Sequence, residues 1–268
     1  DQPRSRGLGD VYKRQPHEVV KCGVWAKGRF RGEQMLYHSE RIYGIDISKY
    51  QHVHKRRVYG IDWRNLRITR LGHTADRNAL GAVDYPVSFV YIKSTEGLTV
   101  FNPYYTQDVR AARRYGFPVG AYHFFSTRPA MSQADYFLKK SRLRKGDLPP
   151  MLDVELSDRR IAAMGGRDVL FREMLVWLKE VGRRSSTTPI IYVSQDFVNR
   201  YMPFAPEELK AYPVWVARYG EYKPYVHLLY WQLSPDGRVR GIQGDVDIDV
   251  FNGSEEQFKR YLRTQTVK

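Results

Sequence analysis

Leu148-Pro-Pro-Met-Leu-Asp-Val-Glu155 is a short apolar run that ends in two acids. Read as a strand, its period of two puts Asp153 and Glu155 on one face and Val154 on the other. Their backbones then lie about 6–7 Å apart, near enough for each carboxyl to disturb the other's protonation. A carboxylate inside an apolar strand is unfavourable unless it is paired or used. The bland reading of this pair is a strand end whose acids cap the next helix or bind arginine.

Working outward, seven more β-branched or aromatic runs share this length: Tyr43–Ser48, Ser88–Ser94, Pro118–Phe125, Thr188–Ser194, Tyr212–Tyr219, His227–Ser234 and Val246–Phe251. Eight such runs fit strands buried on both faces, as in a parallel sheet. Between several of them lie helix-like segments. Residues 167–182 place Phe171, Met174, Leu175, Leu178 and Val181 at 3–4 spacing, an amphipathic stripe. Residues 103–115, 130–141 and 254–264 are weaker helical segments. The chain therefore reads as α/β, an irregular TIM-like (β/α) barrel of eight strands with fewer than eight helices. The Gln51–Val87 connection is long for a βα link and reads as an inserted excursion over one face. Residues 1–42 lack apolar periodicity and read as a poorly ordered N-terminal arm, leaving residues 43–268 as the barrel domain. The stretch Arg6–Gln15 resembles an adaptor read-through string, which would make residues 1–15 non-native and leave an export signal missing.

Parallel barrels gather their active sites at the C-terminal strand ends. Those ends carry Asp46, Glu96, His123, Asp153 with Glu155, Gln232, and Asp247 with Asp249. Asp46 and Asp247, on the first and last strands, become neighbours only when the barrel closes, and with them the bland reading loses ground. Like charges in a partly desolvated pocket raise one pKa, yielding an acid able to donate a proton near neutrality. That suits glycosidic bond cleavage, which needs a general acid and a second carboxylate flanking the bond. Tyr122, Tyr192, Trp215, Tyr219 and Trp231 lie near strand ends, where aromatic faces can stack on pyranose rings. Lys93, if it points inward, needs a nearby carboxylate, and His123 reads as a hydrogen-bonded structural residue. Asp245-x-Asp247-x-Asp249 imitates a calcium loop but has Val250 where the sharp-turn Gly belongs. His52-x-His54 has no third ligand at a recognisable spacing. No metal or cofactor motif remains.

Composition narrows the class further. Across 268 residues, 42% hydrophobic and 14% aromatic content exclude a disordered or fibrous chain. No run approaches the roughly 18 apolar residues of a membrane span. The single cysteine, Cys22, excludes an intramolecular disulfide and a cysteine-based zinc site. Nine basic and five acidic side chains in residues 1–42 leave +11 of the +15 net charge on the remainder. Such a surface attracts polyanions, an anionic cell wall among them. Its basic residues are scattered, and no nucleic-acid-binding motif accompanies them.

Several motifs, in order, resemble glycoside hydrolase family 25, the Chalaropsis-type lysozymes or N-acetylmuramidases. They are Tyr43-Gly-Ile-Asp-Ile-Ser-Lys-Tyr-Gln51, Ile61-Asp-Trp63, Phe89-Val-Tyr-Ile-Lys-Ser-Thr-Glu-Gly97, Val119-Gly-Ala-Tyr-His-Phe-Phe125, Pro150-Met-Leu-Asp-Val-Glu155, Pro189-Ile-Ile-Tyr-Val-Ser194, Tyr230-Trp-Gln232 and Val246-Asp-Ile-Asp-Val-Phe251. The resemblance implies hydrolysis of the β-1,4 bond between N-acetylmuramic acid and N-acetylglucosamine in peptidoglycan, with retention and without a cofactor. It implies Glu155 as general acid, with Asp153, Asp46 and Asp247 completing the acidic cluster. Lys93, Tyr122, Tyr192, Trp215 and Gln232 would be substrate contacts. Peptidoglycan glycan strands would be the partner, rather than nucleic acid or a membrane, and the protein would be an exported monomer. Asn102 stands where the family commonly has Asp before Pro. The competing reading is a non-catalytic peptidoglycan-binding barrel, against which the complete acidic set speaks.

Overall fold

In a computed structural model of the chain, the described residues are 41–54, 56–73, 79–217 and 226–268, with the backbone of two short strands at 24–26 and 29–32. Those two, Val24–Ala26 and Arg29–Gly32, form a two-stranded antiparallel sheet of their own. Of the rest of the expected arm only Arg41 and Ile42 are described, Ile42 being buried with the barrel interior; the remainder, and Tyr219, lie outside the described residues.

All eight runs form strands: β1 Tyr43–Ile47, β2 Val90–Glu96, β3 Val119–Phe124, β4 Met151–Asp153, β5 Ile190–Ser194, β6 Pro213–Ala217, β7 His227–Arg240 and β8 Val246–Phe251. They close into a barrel through a β8–β1 pairing. Among the described residues seven helices accompany them: α1 Tyr105–Arg114, α2 Ala130–Ser141, α3 Asp158–Ala163, α4 Arg167–Ser185, α5 Gln195–Arg200, α6 Glu207–Lys210 and α7 Glu255–Thr264.

The all-parallel sheet expected from the sequence needs one correction. From β1 through β7 every neighbouring pair is parallel. Strand β8 instead runs antiparallel to both β7 and β1. Only five residues connect β7 to β8, too few for the crossover that a parallel neighbour requires.

Period-two alternation divides the core into two clusters. Outward residues such as Ile45, Ile92, Leu152, Val193, Val216 and Ile248 pack under the helices, where α4 contributes Phe171, Met174, Trp177, Leu178 and Val181. Inward residues Phe89, Tyr91, Met151, Trp215, Tyr230 and Phe251 fill the barrel, and Phe258 of α7 packs with them. Ser254 starts α7 with a capping box to Gln257, satisfying helix-end donors on both sides.

The Gln51–Val87 excursion has its own structure. It forms a small hairpin, Val53–His54 with Arg57–Val58, and then two antiparallel strands, Arg67–Gly72 and Ala79–Pro86. The first of these pairs with Arg238–Arg240, the far end of β7. Strand β7 thus leaves the barrel and becomes one edge of a three-stranded ribbon, anchored by the buried Trp63, Leu66, Ile68 and Leu71.

Two glycines make room for the aromatic interior. A methyl group added at Gly120 would lie 2.3 Å from the Tyr91 ring, and one at Gly44 would lie 2.2 Å from Phe89. Because the ring atoms are fully buried and close-packed, Gly120→Ala is expected to destabilise the barrel by about 1–3 kcal/mol in urea unfolding. A variant as stable as wild type would show that the interior has slack.

Candidate active site

The end of the barrel at which β1–β7 terminate gathers the acids. Asp46 lies on β1, and its cross-strand partner in register is Asp247 of β8. Because β8 is reversed, Asp247 reaches this end from the start of its strand, and Asp249, two residues on, lies deeper. Asp153 closes β4 with Tyr192 of β5 as its partner in register, and Glu155 lies two residues past the strand end, its charge near enough to raise the Asp153 carboxyl. Asp46 and Asp153 are buried, Asp247 is half-buried, and Glu155 is open to solvent.

Polar contacts order this end. The Tyr192 hydroxyl donates to Gln232 Oε1 at 3.0 Å, and Gln232 Nε2 donates to Asp46 Oδ2 at 3.1 Å. Tyr122 also hydrogen-bonds the Asp46 carboxyl. Ser48 and Gln51 form a capping box over the turn after β1, and Gln51 Nε2 donates to the Asp245 carbonyl at 3.0 Å. That bond ties the end of β1 to the start of β8 and holds Asp46 and Asp247 face to face.

Burial raises every carboxyl in the cluster. Asp46 is pushed up to about 7 by desolvation and by the Glu155 charge, against the hydrogen bonds from Gln232 and Tyr122. Asp247 is pushed up to about 9 by desolvation, Asp46 and Glu155. Asp153 is raised well above the usual carboxylate range by desolvation and Glu155, with Lys93 opposing. Glu155 is raised by desolvation against the pull of Lys93. Groups raised in this way share protons at a pH where free carboxylates have lost them, so the cluster can donate as well as accept.

The structure brings most of the sequence-predicted site residues together. Tyr122, Tyr192 and Gln232 join the cluster. Lys93 points in, but its ion pair is with Glu96, Nζ to Oε2 2.7 Å, and its Nζ lies 4.3 Å from the Phe124 ring centroid. Trp215 is corrected from substrate contact to core. It is fully buried beneath the site, with ring centroids 4.8 Å from Tyr230, 4.9 Å from Tyr91 and 6.1 Å from Tyr192. Trp231 faces the outer core instead of the barrel interior. His123 also faces outward and is held near 4 by burial, hence neutral, with Nδ1 2.7 Å from Thr95 Oγ1 and Nε2 3.1 Å from Gln133 Oε1. Asn102 donates to the Lys93 carbonyl at 2.8 Å and accepts from the Tyr104 amide at 3.1 Å, fixing the chain just after β2.

Sequence reasoning missed Gln51 and Ser48, the clamp between β1 and β8. The signal was present as Ser-x-x-Gln immediately after a strand, a capping-box pattern. His52, weighed in the sequence only as half of a failed metal motif, is buried, stacks on Tyr104 at 4.1 Å and pairs with Asp108 at 2.7 Å. Among the described residues, no group of three or more His, Cys, Asp or Glu is arranged to hold a metal ion.

A β/α barrel whose mouth sets one open acid beside buried carboxyls is equipped for acid–base cleavage of glycosidic bonds. The profile of glycosyl hydrolases family 25 matches residues 45–242. YegX of Escherichia coli O6:H1, an uncharacterized protein, is 33% identical over 228 residues, spanning 84% of this chain and 74% of YegX. Lysozyme M1 of Streptomyces globisporus is 28% identical over 229 residues, or 80% of this chain and 68% of that lysozyme. The crystal structure of a bacterial lysozyme from Streptomyces coelicolor aligns with a TM-score of 0.65 at 27% identity, covering 82% of this chain and 96% of that one. The chain belongs to glycosyl hydrolase family 25 and is a glycoside hydrolase.

The raised carboxyls link stability to pH. Asp46 and Asp247 keep protons in the folded chain that the unfolded chain releases above about pH 4. Their contribution is complete below that pH and is lost as the pH rises through about 7 and then 9. Asp247→Asn, a neutral isostere, is therefore expected to raise Tm at pH 8 by about 2–4 °C or more and to leave it unchanged at pH 4. Calorimetric scans at both pH values check this, and an unchanged or lowered Tm at pH 8 contradicts it.

Proposed function

We propose that the protein is an N-acetylmuramidase. It hydrolyses the β-1,4 bond between N-acetylmuramic acid and N-acetylglucosamine in bacterial peptidoglycan, with retention of configuration. The observation that carries the reading is Glu155, an acid open to solvent with a raised pKa, standing beside buried Asp153 in a chain of family 25. Two relatives that carry the name lysozyme, from Streptomyces globisporus and Clostridium acetobutylicum, support the substrate class.

In this reading Glu155 donates its proton to the leaving glycosidic oxygen. Its contact with solvent lets it be reprotonated after each turnover, whereas the buried acids lack that exchange. Asp46 is the member best supported as an anion, since Gln232 and Tyr122 both donate to it. It lies where positive charge develops on the sugar. Desolvation helps Glu155 keep its proton, while Asp153 and Asp247, raised themselves, stay neutral beside it. Retention follows either from a carboxylate nucleophile or from attack by the substrate's own 2-acetamido group, and substrate assistance is a recognised variant of the two-carboxylate scheme. Lys93, Tyr122, Tyr192 and Gln232 line the approach. Peptidoglycan lies outside the cytoplasmic membrane, so the enzyme acts as an exported protein and works as a single barrel.

The test is digestion of purified peptidoglycan by wild type and Glu155→Gln, followed by borohydride reduction and mass spectrometry. Reduced muramic acid is expected from wild type alone, with kcat of the variant lower by about 10²–10⁴-fold. Reduced glucosamine would move the bond cleaved. No product from either protein, with wall binding retained, would make the barrel a binding module. The wild-type rate is expected to fall on the alkaline side as Glu155 loses its proton, and a rate that climbs steadily above pH 8 would remove Glu155 from the acid role.

A further inference from the structure

The ribbon beyond the barrel carries arginines in an arrangement that its own structure does not explain. Arg70 and Arg238 are partners in register across Arg67–Gly72 and β7, and Arg67 and Arg240 are the next such pair. Partners across an antiparallel ladder point to the same side, and like charges placed directly opposite are destabilising. The buried positions of these strands, Ile68, Leu71 and Val239, face the other way, into the core. Four guanidinium groups therefore share one outer face.

Two carboxylates partly answer them. Arg67 Nε lies 2.5 Å from Asp84 Oδ1, and Arg240 reaches the same oxygen only at 3.9 Å. Arg238 pairs with Asp245 at 2.9 Å. Arg70 is exposed and makes no ion pair among the described residues. The face keeps a surplus of positive charge, and two of its arginines already grip carboxylates within the chain. A planar guanidinium fork matches a carboxylate better than a lysine ammonium does.

The position of this face ties it to the acidic cluster. Strand β7 carries Gln232 at the cluster and runs on to Arg238, six residues further and at most about 20 Å away along an extended strand. A glycan lying across the cluster would extend over the ribbon. The anionic groups that such a polymer presents along its length are the free carboxylates of its peptide stems.

We propose that the outer face of the ribbon, Arg67, Arg70, Arg238 and Arg240, is a subsite for the carboxylate-bearing peptide stems of the glycan strand. This rests on the muramidase reading for the nature of the polymer, but its readout does not need turnover.

The experiment compares wild type with Arg70→Ala/Arg240→Ala, and with the charge-keeping Arg70→Lys/Arg240→Lys, on two substrates. One is purified peptidoglycan; the other is the same material with its free carboxyls amidated by carbodiimide and ammonium. At low ionic strength the alanine variant is expected to need about fivefold more native peptidoglycan for half-saturation, with kcat unchanged, and the lysine variant to recover most of the loss. On amidated substrate the three proteins are expected to coincide, and 0.5 M salt should shrink the difference on native substrate, because exposed charges are then screened within a few ångströms. Equal half-saturation on native peptidoglycan, or a difference that persists on amidated material, would overturn the proposal. Co-sedimentation of the same proteins with both materials reads binding directly. If wild type turns over neither substrate, the muramidase reading fails, and the co-sedimentation contrast still decides whether the ribbon binds carboxylates.

Discussion

Asp46, Asp153, Asp247 and Glu155 converge on one barrel mouth, and carboxyls this close cannot all be charged away from bulk water. Much of the neighbouring structure responds to that constraint. The buried members retain protons or receive donors, and Asp46 receives two, from Gln232 and Tyr122. Tyr192 in turn fixes the Gln232 amide, so that its N–H and not its carbonyl faces Asp46. The Gln51 bond to the Asp245 carbonyl prevents the first and last strands from relieving the repulsion by drifting apart. Glu155 is the most exposed of the four.

Beneath the acids the barrel is packed with rings rather than with the branched aliphatics usual in such interiors. Phe89, Tyr91, Trp215 and Tyr230 meet at tilted and edge-on angles, and Phe258 and Tyr261 of α7 continue the stack. Gly44 and Gly120 are the concession that lets such large groups share the interior. This floor keeps the cluster desolvated from below, which is the leading cause of every raised carboxyl there. Asp249 sits within it, fully buried, its carboxyl raised far above the ordinary range by burial and by Asp46 and Asp247. It is thereby neutral, consistent with a place among aromatic rings.

The reversal of β8 organises the rest. It delivers Asp247 opposite Asp46, and it requires β7 to turn back through a short connection after overshooting the barrel. That overshoot is the edge on which the Gln51–Val87 excursion builds its ribbon. The arrangement of the acids and the arginine face are thus consequences of one strand direction.

The eight strands and the principal helices were legible from the chain because their signals are local. β-Branched and aromatic runs mark strands, and Phe171, Met174, Leu178 and Val181 mark one face of α4 whatever surrounds them. The period of two likewise identified the faces of Asp153 and Glu155, and the order of acids along the chain pointed to a shared site. What the chain alone did not disclose was direction and depth. A strand buried on both faces has the same pattern running either way, so the reversal of β8 left no mark in Val246–Phe251. Trp215 and Tyr192 alternate inward alike, yet one lies in the core and the other meets Gln232. Lys93 pairs with Glu96, three residues on along the same strand, and only its pull on Asp153 and Glu155 depends on barrel closure. Side-chain alternation is fixed by covalent geometry within a few residues, whereas depth and strand direction are fixed only when distant strands meet.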